Sequence, residues 1–141
     1  MAILRLMRGA PGSGKSTAAK KLFPGTVLFE NDMFLIRDGK YCWSRERVQD
    51  AIKWCTTSVE NALKNGMDVV VANTFTKRRF IEAYRQIAER YNAEFIVYRC
   101  TGNYQNVHNV SDELVESFRK AMEDYDGEIV LSENDIAKRT I

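Results

Sequence analysis

A glycine-rich stretch near the N-terminus constrains the fold of this chain more than any other part of the sequence. Residues 9–16 read Gly-Ala-Pro-Gly-Ser-Gly-Lys-Ser and match the pattern G-x-x-x-x-G-K-[ST] in full. The pattern is informative where it follows a strand and opens a helix. The apolar run 2–8 suits a buried strand, and residues 15–23 suit a helix that Pro24-Gly25 ends. The context therefore predicts a phosphate-binding loop, or P-loop.

Each residue type in this loop has a physical role in holding a triphosphate. The glycines let the backbone approach phosphate oxygens, and the loop amides add partial positive charge at the helix N-terminus. Lys15 is expected to reach the β- and γ-phosphates and to act catalytically, and Ser16 is expected to bind Mg²⁺ through its hydroxyl. The predicted nucleotide-binding residues are Gly9, Pro11, Gly12, Ser13, Gly14, Lys15, Ser16 and Thr17.

The rest of the chain alternates strand-like and helix-like segments. The later strands are predicted at 26–30, 67–72, 93–100 and 127–131. The later helices are predicted at 44–65, 76–91 and 111–125, and they begin after the capping residues Ser44, Thr76 and Ser111. Residues 31–43 are predicted to be irregular. This alternation predicts a single α/β domain over residues 1–141, with a parallel sheet and helices on both of its faces.

Composition narrows the class of protein further. The chain has 141 residues with 45% hydrophobic and 28% charged side chains, which is typical of one globular domain. A formal net charge of +2 neither requires nor excludes a nucleic-acid partner. Three cysteines without metal-type spacing indicate free thiols in a reducing compartment. No apolar run has membrane-spanning length, and the N-terminus does not resemble a signal peptide, so we expect a cytoplasmic protein without membrane partners.

Asp32 directly follows the second predicted strand, within the sequence Phe-Glu-Asn-Asp-Met-Phe at 29–34. Ligands of open α/β sheets bind at the carboxyl ends of the strands, which places Asp32 on the functional edge. Its carboxylate could accept a proton from an attacking hydroxyl, or hold Mg²⁺ through water. An aspartate that caps a turn after a strand explains the same pattern. Residue chemistry alone leaves both interpretations open.

With these residues in view, the chain resembles the phage-type polynucleotide 5′-hydroxyl kinases and related ATP-binding kinase-like domains. The resemblance covers residues 3 to 125. It is carried by the P-loop with Thr17, by Asp32, by Asp38-Gly39-Lys40-Tyr41, by Ala72-Asn73-Thr74 and by Asn106-Val107-His108-Asn109-Val110.

The resemblance implies a fold and a reaction. The fold is a three-layer α/β/α P-loop domain with a parallel sheet of about five strands in the order 2-3-1-4-5. A lid spans about 101–125 and includes Asn106 and His108. The reaction uses the purine nucleotide ATP with Mg²⁺, and Asp32 acts as general base. The acceptor is a nucleic-acid or nucleotide 5′-hydroxyl.

The sequence departs from the family pattern in three places. Ala72 replaces an acidic residue at the end of the third strand, so a Walker-B-like carboxylate is missing there. Leu35 occupies the position of an arginine, and Arg37 follows two residues later. Residues 101–111 hold no arginine, although the family's lid supplies arginines to the γ-phosphate. Arg99, Arg78 or Arg79 would have to replace them.

The predicted substrate-binding residues are Arg37, Asn73, Thr74, Arg78 and Arg79. Cations are unfavourable at a helix N-terminus, so the basic run 77–79 suggests a bound phosphate partner. A solvated helix start is the alternative. Phe34 and its aromatic neighbours Tyr41 and Trp43 either stack bases or fill the core.

Three classes of function remain open from the sequence. The leading hypothesis is a kinase that phosphorylates a nucleic-acid or nucleotide 5′-hydroxyl, or else a small metabolite. The second is an ATP-binding switch or accessory module without efficient transfer, which Ala72 and the lid without arginine favour. The third is a nucleic-acid-binding module with a vestigial nucleotide site.

Overall fold

The computed structural model describes residues 1–37, 40–41, 44–104 and 111–138. Within these ranges the strands are β1 (Ile3–Arg8), β2 (Val27–Phe29), β3 (Ile36–Arg37), β4 (Lys40–Tyr41), β5 (Val69–Ala72), β6 (Glu94–Cys100) and β7 (Ile129–Leu131). The helices are α1 (Lys15–Leu22), α2 (Asn31–Leu35), α3 (Arg45–Lys64), α4 (Arg78–Arg90), α5 (Asp112–Ala121) and α6 (Glu133–Lys138). None of these helices is long and apolar enough to cross a membrane.

The main sheet is parallel, with the strand order β2-β5-β1-β6-β7. Counted along the chain without the β3-β4 hairpin, this order is 2-3-1-4-5, which confirms the predicted topology. Strand β5 shows why the sheet is buried on both faces. Val69 and Val71 join the hydrophobic cluster under α3 and α4, while Val70 and Ala72 join the cluster under α1 and α6. Side chains alternate along a strand, so an uninterrupted apolar run supplies both cores.

Helix capping agrees with the sequence at two of the three predicted positions. The hydroxyls of Ser44 and Ser111 accept hydrogen bonds from the amides of Arg47 and Leu114, as N-cap serines do. Thr76 was wrongly predicted as the cap of α4, because the N-cap is Lys77, whose side chain makes no capping bond. The amide of Arg78 is instead bound by a residue distant in sequence, described with the site below.

Three further boundaries differ from the prediction. Residues 31–43 are not wholly irregular, because Asn31–Leu35 forms helix α2 and the two-residue strands β3 and β4 pair as a hairpin. Helix α5 ends at Ala121, before Tyr125, because Met122 adopts an extended conformation. Helix α6 was not predicted. In each case tertiary contacts decide the local conformation more than sequence pattern does.

A buried ion pair fixes the end of β1, directly before the P-loop. Arg8 is fully buried, and its Nη1 lies 2.9 Å from Oε1 of Glu128, which follows the last turn before β7. Arg8 also donates to the carbonyl oxygen of Phe75 from Nε at 3.1 Å and from Nη2 at 2.8 Å. Phe75 has a φ of 46°, an uncommon conformation for a residue with a side chain. The pairing makes a buried charge tolerable at this position.

Candidate active site

The P-loop runs from the end of β1 to the first residue of α1, as the sequence predicts. Gly12 and Gly14 have φ values of 77° and 92°, which favour glycine. The loop is also crowded by the segment that follows β6. A Cβ at Gly14 would lie 2.7 Å from Cε2 of Tyr104, and the Tyr104 amide donates to the Gly12 carbonyl at 2.8 Å. Residues 101–104 therefore pack against the P-loop at Gly12 and Gly14.

Lys15 lies over the first two residues of the loop. Its Nζ donates to the carbonyl oxygens of Gly9 at 2.9 Å and Ala10 at 3.0 Å. Burial lowers the pKa of Lys15, while Cys100, Glu30 and, less strongly, Asp32 act in the opposite direction. The ammonium thus sits at the mouth of the phosphate cradle with carboxylates nearby.

Glu30 is a site residue that the sequence analysis missed. The hydroxyl of Ser16 donates to Oε1 of Glu30 at 2.7 Å. Strands β2 and β5 pair in parallel with Phe29 opposite Val71, so the next residues along, Glu30 and Ala72, are neighbours at the same edge. The carboxylate that is missing at position 72 is therefore supplied from the adjacent strand. The sequence does show an acidic residue two positions before Asp32. Its place beside Ser16 and Ala72, however, follows only from the pairing of β2 with β5.

Asp32 lies in the first turn of α2, close enough to Lys15 to influence its charge. Helix α2 is held in place by Asn73, whose Oδ1 accepts from the amide of Asn31 at 2.9 Å. Thr74 supports the loop, since its carbonyl accepts from the amide of Gly9 at 3.3 Å. Asn73 and Thr74 thus position the site, and their predicted contacts with substrate remain predictions.

The basic run 77–79 finds partners inside the protein. The carboxylate of Glu123 accepts from the amide of Arg78 at 2.7 Å, and this contact lowers the pKa of Glu123. The Arg78 guanidinium donates to the carbonyl of Asp124 at 3.3 Å, and Lys77 Nζ to that of Ala121 at 3.5 Å. The segment after α5 therefore supplies the negative groups that the helix N-terminus lacks. Arg79 lies with its guanidinium carbon 5.0 Å from the ring centre of Phe80.

Several predicted site features lie outside the described residues. They are Asn106 and His108 of the lid, together with Trp43 and the side chains of Arg37 and Tyr41. Phe34 is described, and its ring lies 6.1 Å from that of Trp54 and 5.5 Å from the guanidinium carbon of Arg47. These contacts fit the core-packing interpretation of Phe34.

The residues around Ser16 fit a magnesium ion. Mg²⁺ prefers hard oxygen ligands and usually keeps several waters, with few protein ligands. Ser16 and Glu30 present a hydroxyl and a carboxylate oxygen side by side. The part of the chain that the structure describes contains no cluster of three or more histidine, cysteine or acidic side chains that could cage a metal. The two oxygens of Ser16 and Glu30 would leave the other positions around Mg²⁺ to phosphate oxygens and water.

Comparison with known proteins places the chain in a family. The sequence model of the AAA domain family AAA_33 matches residues 4–124. The chain belongs to this family. Among individual proteins, it is 34% identical over 135 residues to the uncharacterized protein PM0531 of Pasteurella multocida, with 82% of this chain and 73% of that protein covered.

Solved structures show the same fold. A sugar kinase from Janibacter sp. HTCC2649 matches with a TM-score of 0.70 and 16% identity, over 98% of this chain and 92% of that chain. A gluconokinase from Sinorhizobium meliloti 1021 matches with a TM-score of 0.66 and 13% identity, over 98% and 87%. A chain of the Pnkp1/Rnl/Hen1 complex matches with a TM-score of 0.62 and 26% identity, over 82% and 38%. This AAA domain protein thus has the three-layer fold of P-loop kinases.

Proposed function

We propose that this protein is an ATP-dependent phosphotransferase that moves the γ-phosphate of ATP to a hydroxyl acceptor, with Asp32 as general base. One observation carries the proposal: the P-loop, the Ser16–Glu30 pair and Asp32 converge at one sheet edge, within electrostatic reach of Lys15. This arrangement combines a phosphate cradle, a metal-binding hydroxyl and a carboxylate beside the acceptor position.

The proposed step is an in-line transfer. Asp32 accepts the proton of the acceptor hydroxyl while that oxygen forms its bond to the γ-phosphorus. The bond from the γ-phosphorus to the β,γ-bridging oxygen breaks, and ADP leaves with that electron pair. Lys15 turns from the carbonyls of Gly9 and Ala10 to the β- and γ-phosphates, where it neutralises charge.

Magnesium would be held by Ser16, with Glu30 orienting the serine hydroxyl through the hydrogen bond between them. When bound, the ion neutralises negative charge on the β- and γ-phosphate oxygens. Asp32 is a second candidate for a contact through water. Glu30 supplies a carboxylate beside the position where Ala72 lacks one, and so answers one of the two sequence features that favoured an accessory module.

The acceptor we favour is a nucleic-acid or nucleotide 5′-hydroxyl. The support is the resemblance of the P-loop and Asp32 region to polynucleotide kinases, together with 26% identity to a chain of the Pnkp1/Rnl/Hen1 complex. The acceptor would approach between α2 and the P-loop, because Asp32 lies in the first turn of that helix.

A small metabolite is the second candidate acceptor, and one observation favours it. The basic run 77–79 was predicted from the sequence to bind a substrate phosphate, such as one of an oligonucleotide. Its members Lys77 and Arg78 are engaged by carbonyl and carboxylate groups at residues 121–124. An oligonucleotide would have to compete with these contacts, whereas a small acceptor would not need the run.

The decisive experiment follows labelled γ-phosphate from ATP to a panel of acceptors. The panel contains 5′-hydroxyl DNA and RNA oligonucleotides, the same oligonucleotides with 5′-phosphates, nucleosides and simple sugars. We expect labelling of the 5′-hydroxyl oligonucleotides alone, abolition by Lys15→Ala, and a loss of about a hundredfold or more with Asp32→Asn. Asp126→Asn, an exposed aspartate in the turn before β7, is the matched control and should retain full activity.

Each other outcome has a defined meaning. Labelling of sugars alone would replace the favoured acceptor by the second candidate. Tight ATP binding with no labelled product from any acceptor would contradict the kinase proposal and indicate an accessory module. Unchanged transfer by Asp32→Asn would remove Asp32 from the role of base.

A further inference from the structure

A cavity of about 220 Å³ lies on the side of the P-loop that faces α5. Its walls include Gly9, Ala10 and Ser13 of the loop, Arg99 at the end of β6, and Arg119 of α5. Gly9 and Ala10 are also the residues whose carbonyls hold the Lys15 ammonium. The cavity and the Lys15 ammonium thus share Gly9 and Ala10, although Lys15 does not line the cavity. The γ-phosphate is expected beside Lys15, and the cavity lies next to that position.

Ser13 gives the cavity an unused hydrogen-bonding group. The residue is 2% exposed, and within the described part of the chain its hydroxyl oxygen has no hydrogen-bond partner. A buried hydroxyl without a partner is costly, and such atoms in native proteins usually need a ligand or water to explain them. A phosphate oxygen in the cavity would satisfy it.

Arg119 is the arginine whose protein contacts in this region are weakest. Its Nη2 donates to the carbonyl of Gly102 at 3.3 Å, and its Nη1 lies 4.0 Å from the carboxylate of Glu116 one turn earlier. Gly102 itself abuts the loop, since a Cβ there would lie 2.7 Å from the carbonyl oxygen of Ser13. The Arg119 guanidinium thus contacts a residue that packs against the P-loop, and it has further N–H donors besides the one that binds Gly102.

The other arginines considered from the sequence are bound more firmly elsewhere. Arg99 Nη1 lies 2.7 Å from Asp124 and 3.4 Å from Glu128. Arg78 is bound to the backbone of Asp124 and lies on α4, away from the cavity walls. Moving either would break contacts that fix the segment after α5. Arg119 would leave only a long carbonyl contact and a marginal ion pair.

We propose that Arg119 contacts the γ-phosphate during transfer and replaces the arginines missing from residues 101–111, with the Ser13 hydroxyl donating a second hydrogen bond. This proposal rests on the proposed function. An arginine at this position stabilises charge on the phosphoryl oxygens in the transition state more than in bound ATP. Helix α5 thereby brings the catalytic arginine to the loop from outside residues 101–111.

The test compares two ligands by titration calorimetry in the presence of Mg²⁺: ADP alone, and ADP with aluminium fluoride, which mimics the transferring phosphoryl group. For Arg119→Ala we expect ADP affinity to change by less than about threefold. Affinity for ADP with aluminium fluoride should fall at least about tenfold. Arg119→Lys should lie between wild type and Arg119→Ala. Lys120→Ala, at the adjacent exposed lysine, should match wild type with both ligands.

Equal weakening of both ligands by Arg119→Ala would overturn the proposal, since it would indicate a general structural role. No weakening of either would overturn it too. An unchanged midpoint of urea unfolding shows that Arg119→Ala is folded. If Arg119→Ala does not fold, the two ligands are compared with Arg119→Lys instead. Failure of the proposed function looks different, because the wild type itself would then bind ADP with aluminium fluoride no more tightly than ADP.

Discussion

The hydroxyl of Ser16 donates a 2.7 Å hydrogen bond to the carboxylate of Glu30, although the two residues belong to different structural elements. Ser16 lies in the first turn of α1, and Glu30 follows β2. In many P-loop proteins an acidic residue at the end of the strand beside β1 works with this serine in holding Mg²⁺. Here the corresponding position is Ala72, and the strand beyond it supplies the charge.

Glu30→Gln tests this relationship. Glutamine keeps an oxygen that accepts from Ser16 but loses the negative charge that favours a bound cation. We expect the Mg²⁺ concentration for half-maximal ATP binding to rise about tenfold, because partners of metal ligands have effects of this size. This concentration is measured by following ATP binding while Mg²⁺ is added to wild type and to Glu30→Gln. Binding of ATP without Mg²⁺ should not weaken, since a negative charge near the phosphates has been removed.

The matched control for this variant is Glu46→Gln, at an exposed glutamate in the first turn of α3. It removes the same charge from the surface and should leave the Mg²⁺ dependence unaltered. A shift of similar size in both variants would mean that net charge, and not the Ser16–Glu30 contact, sets the dependence.

Gly12→Ala is expected to damage the nucleotide site beyond its effect on the backbone. Gly12 has a φ of 77°, and an added Cβ would lie 2.9 Å from the carbonyl oxygen of Tyr104. The loop or the 101–104 segment must shift to relieve this contact. We expect ADP affinity to fall by about tenfold or more, because the loop amides must stay aligned with phosphate oxygens. Calorimetric titration of ADP measures the change.

Gly66→Ala separates crowding from backbone strain. Gly66 follows α3 with a φ of 75°, and an added Cβ there meets no atom within 4 Å. This variant should lose about 1 kcal/mol of unfolding free energy from the left-handed conformation alone. Its ADP affinity should equal that of wild type. Equal ADP binding by the two variants would argue against a role for Tyr104 in shaping the loop.

Glu128→Gln should destabilise the protein strongly, because it leaves the fully buried Arg8 without its counter-charge. The Glu128 side chain is 9% exposed, and a broken buried pair costs about 3 kcal/mol. Asp124→Asn removes the other carboxylate near Arg99, but this side chain is 90% exposed and should contribute about 0.5 kcal/mol. Urea unfolding of both variants measures the difference. Similar losses of unfolding free energy in the two variants would show that burial of the carboxylate does not decide how much each ion pair stabilises the protein.

The buried Cys100 thiol should make the free energy of unfolding fall as the pH rises in the alkaline range. Burial raises the pKa of its thiol to about 11, although Lys15 acts in the opposite direction. The unfolded thiol ionises at about pH 8.5, so the unfolded state loses this proton first as the pH rises. The protonated, buried Cys100 thiol therefore contributes fully to the free energy of unfolding below that pH. This contribution is lost as the pH rises towards 11.

The measurement is urea unfolding of wild type and Cys100→Ala at pH 8 and pH 10.5. Wild type should lose about 2 kcal/mol more than the variant between these values, because only wild type carries the shifted thiol. Parallel losses in the two proteins would assign the alkaline sensitivity to other groups, such as the buried Tyr84 and Cys55.

Much of the fold could be predicted because the evidence for it is local. The motif at 9–16 required a strand before it and a helix after it, and both are present. Val69–Ala72 is apolar at every position, as expected for a strand buried between two cores. Ser44 and Ser111 cap their helices with side chains that act within three residues. The strand order came from resemblance, and the pairing of β2 with β5 confirms it.

The errors occurred where a distant segment replaces a local signal. The start of α4 is bound by Glu123, which lies 45 residues from Arg78 in sequence. That contact supplies the capping group, so Thr76 was not needed for the role. Helix α5 ends early because the following residues are engaged in these contacts and in those of Glu128 with Arg8 and Arg99. No periodicity within either segment carries this information.

The sequence by itself determined that this protein has a P-loop in an α/β domain, because the motif, the strand before it and the helix after it are contiguous and depend on local backbone preferences. The tertiary structure decided which side chains lie close to the loop. It put Glu30 beside Ser16 through the pairing of β2 with β5, and Arg119 beside the loop through the contact of α5 with Gly102. Contacts of this kind depend on the order of strands in the sheet and on where each helix packs, and a linear pattern of residues does not specify either.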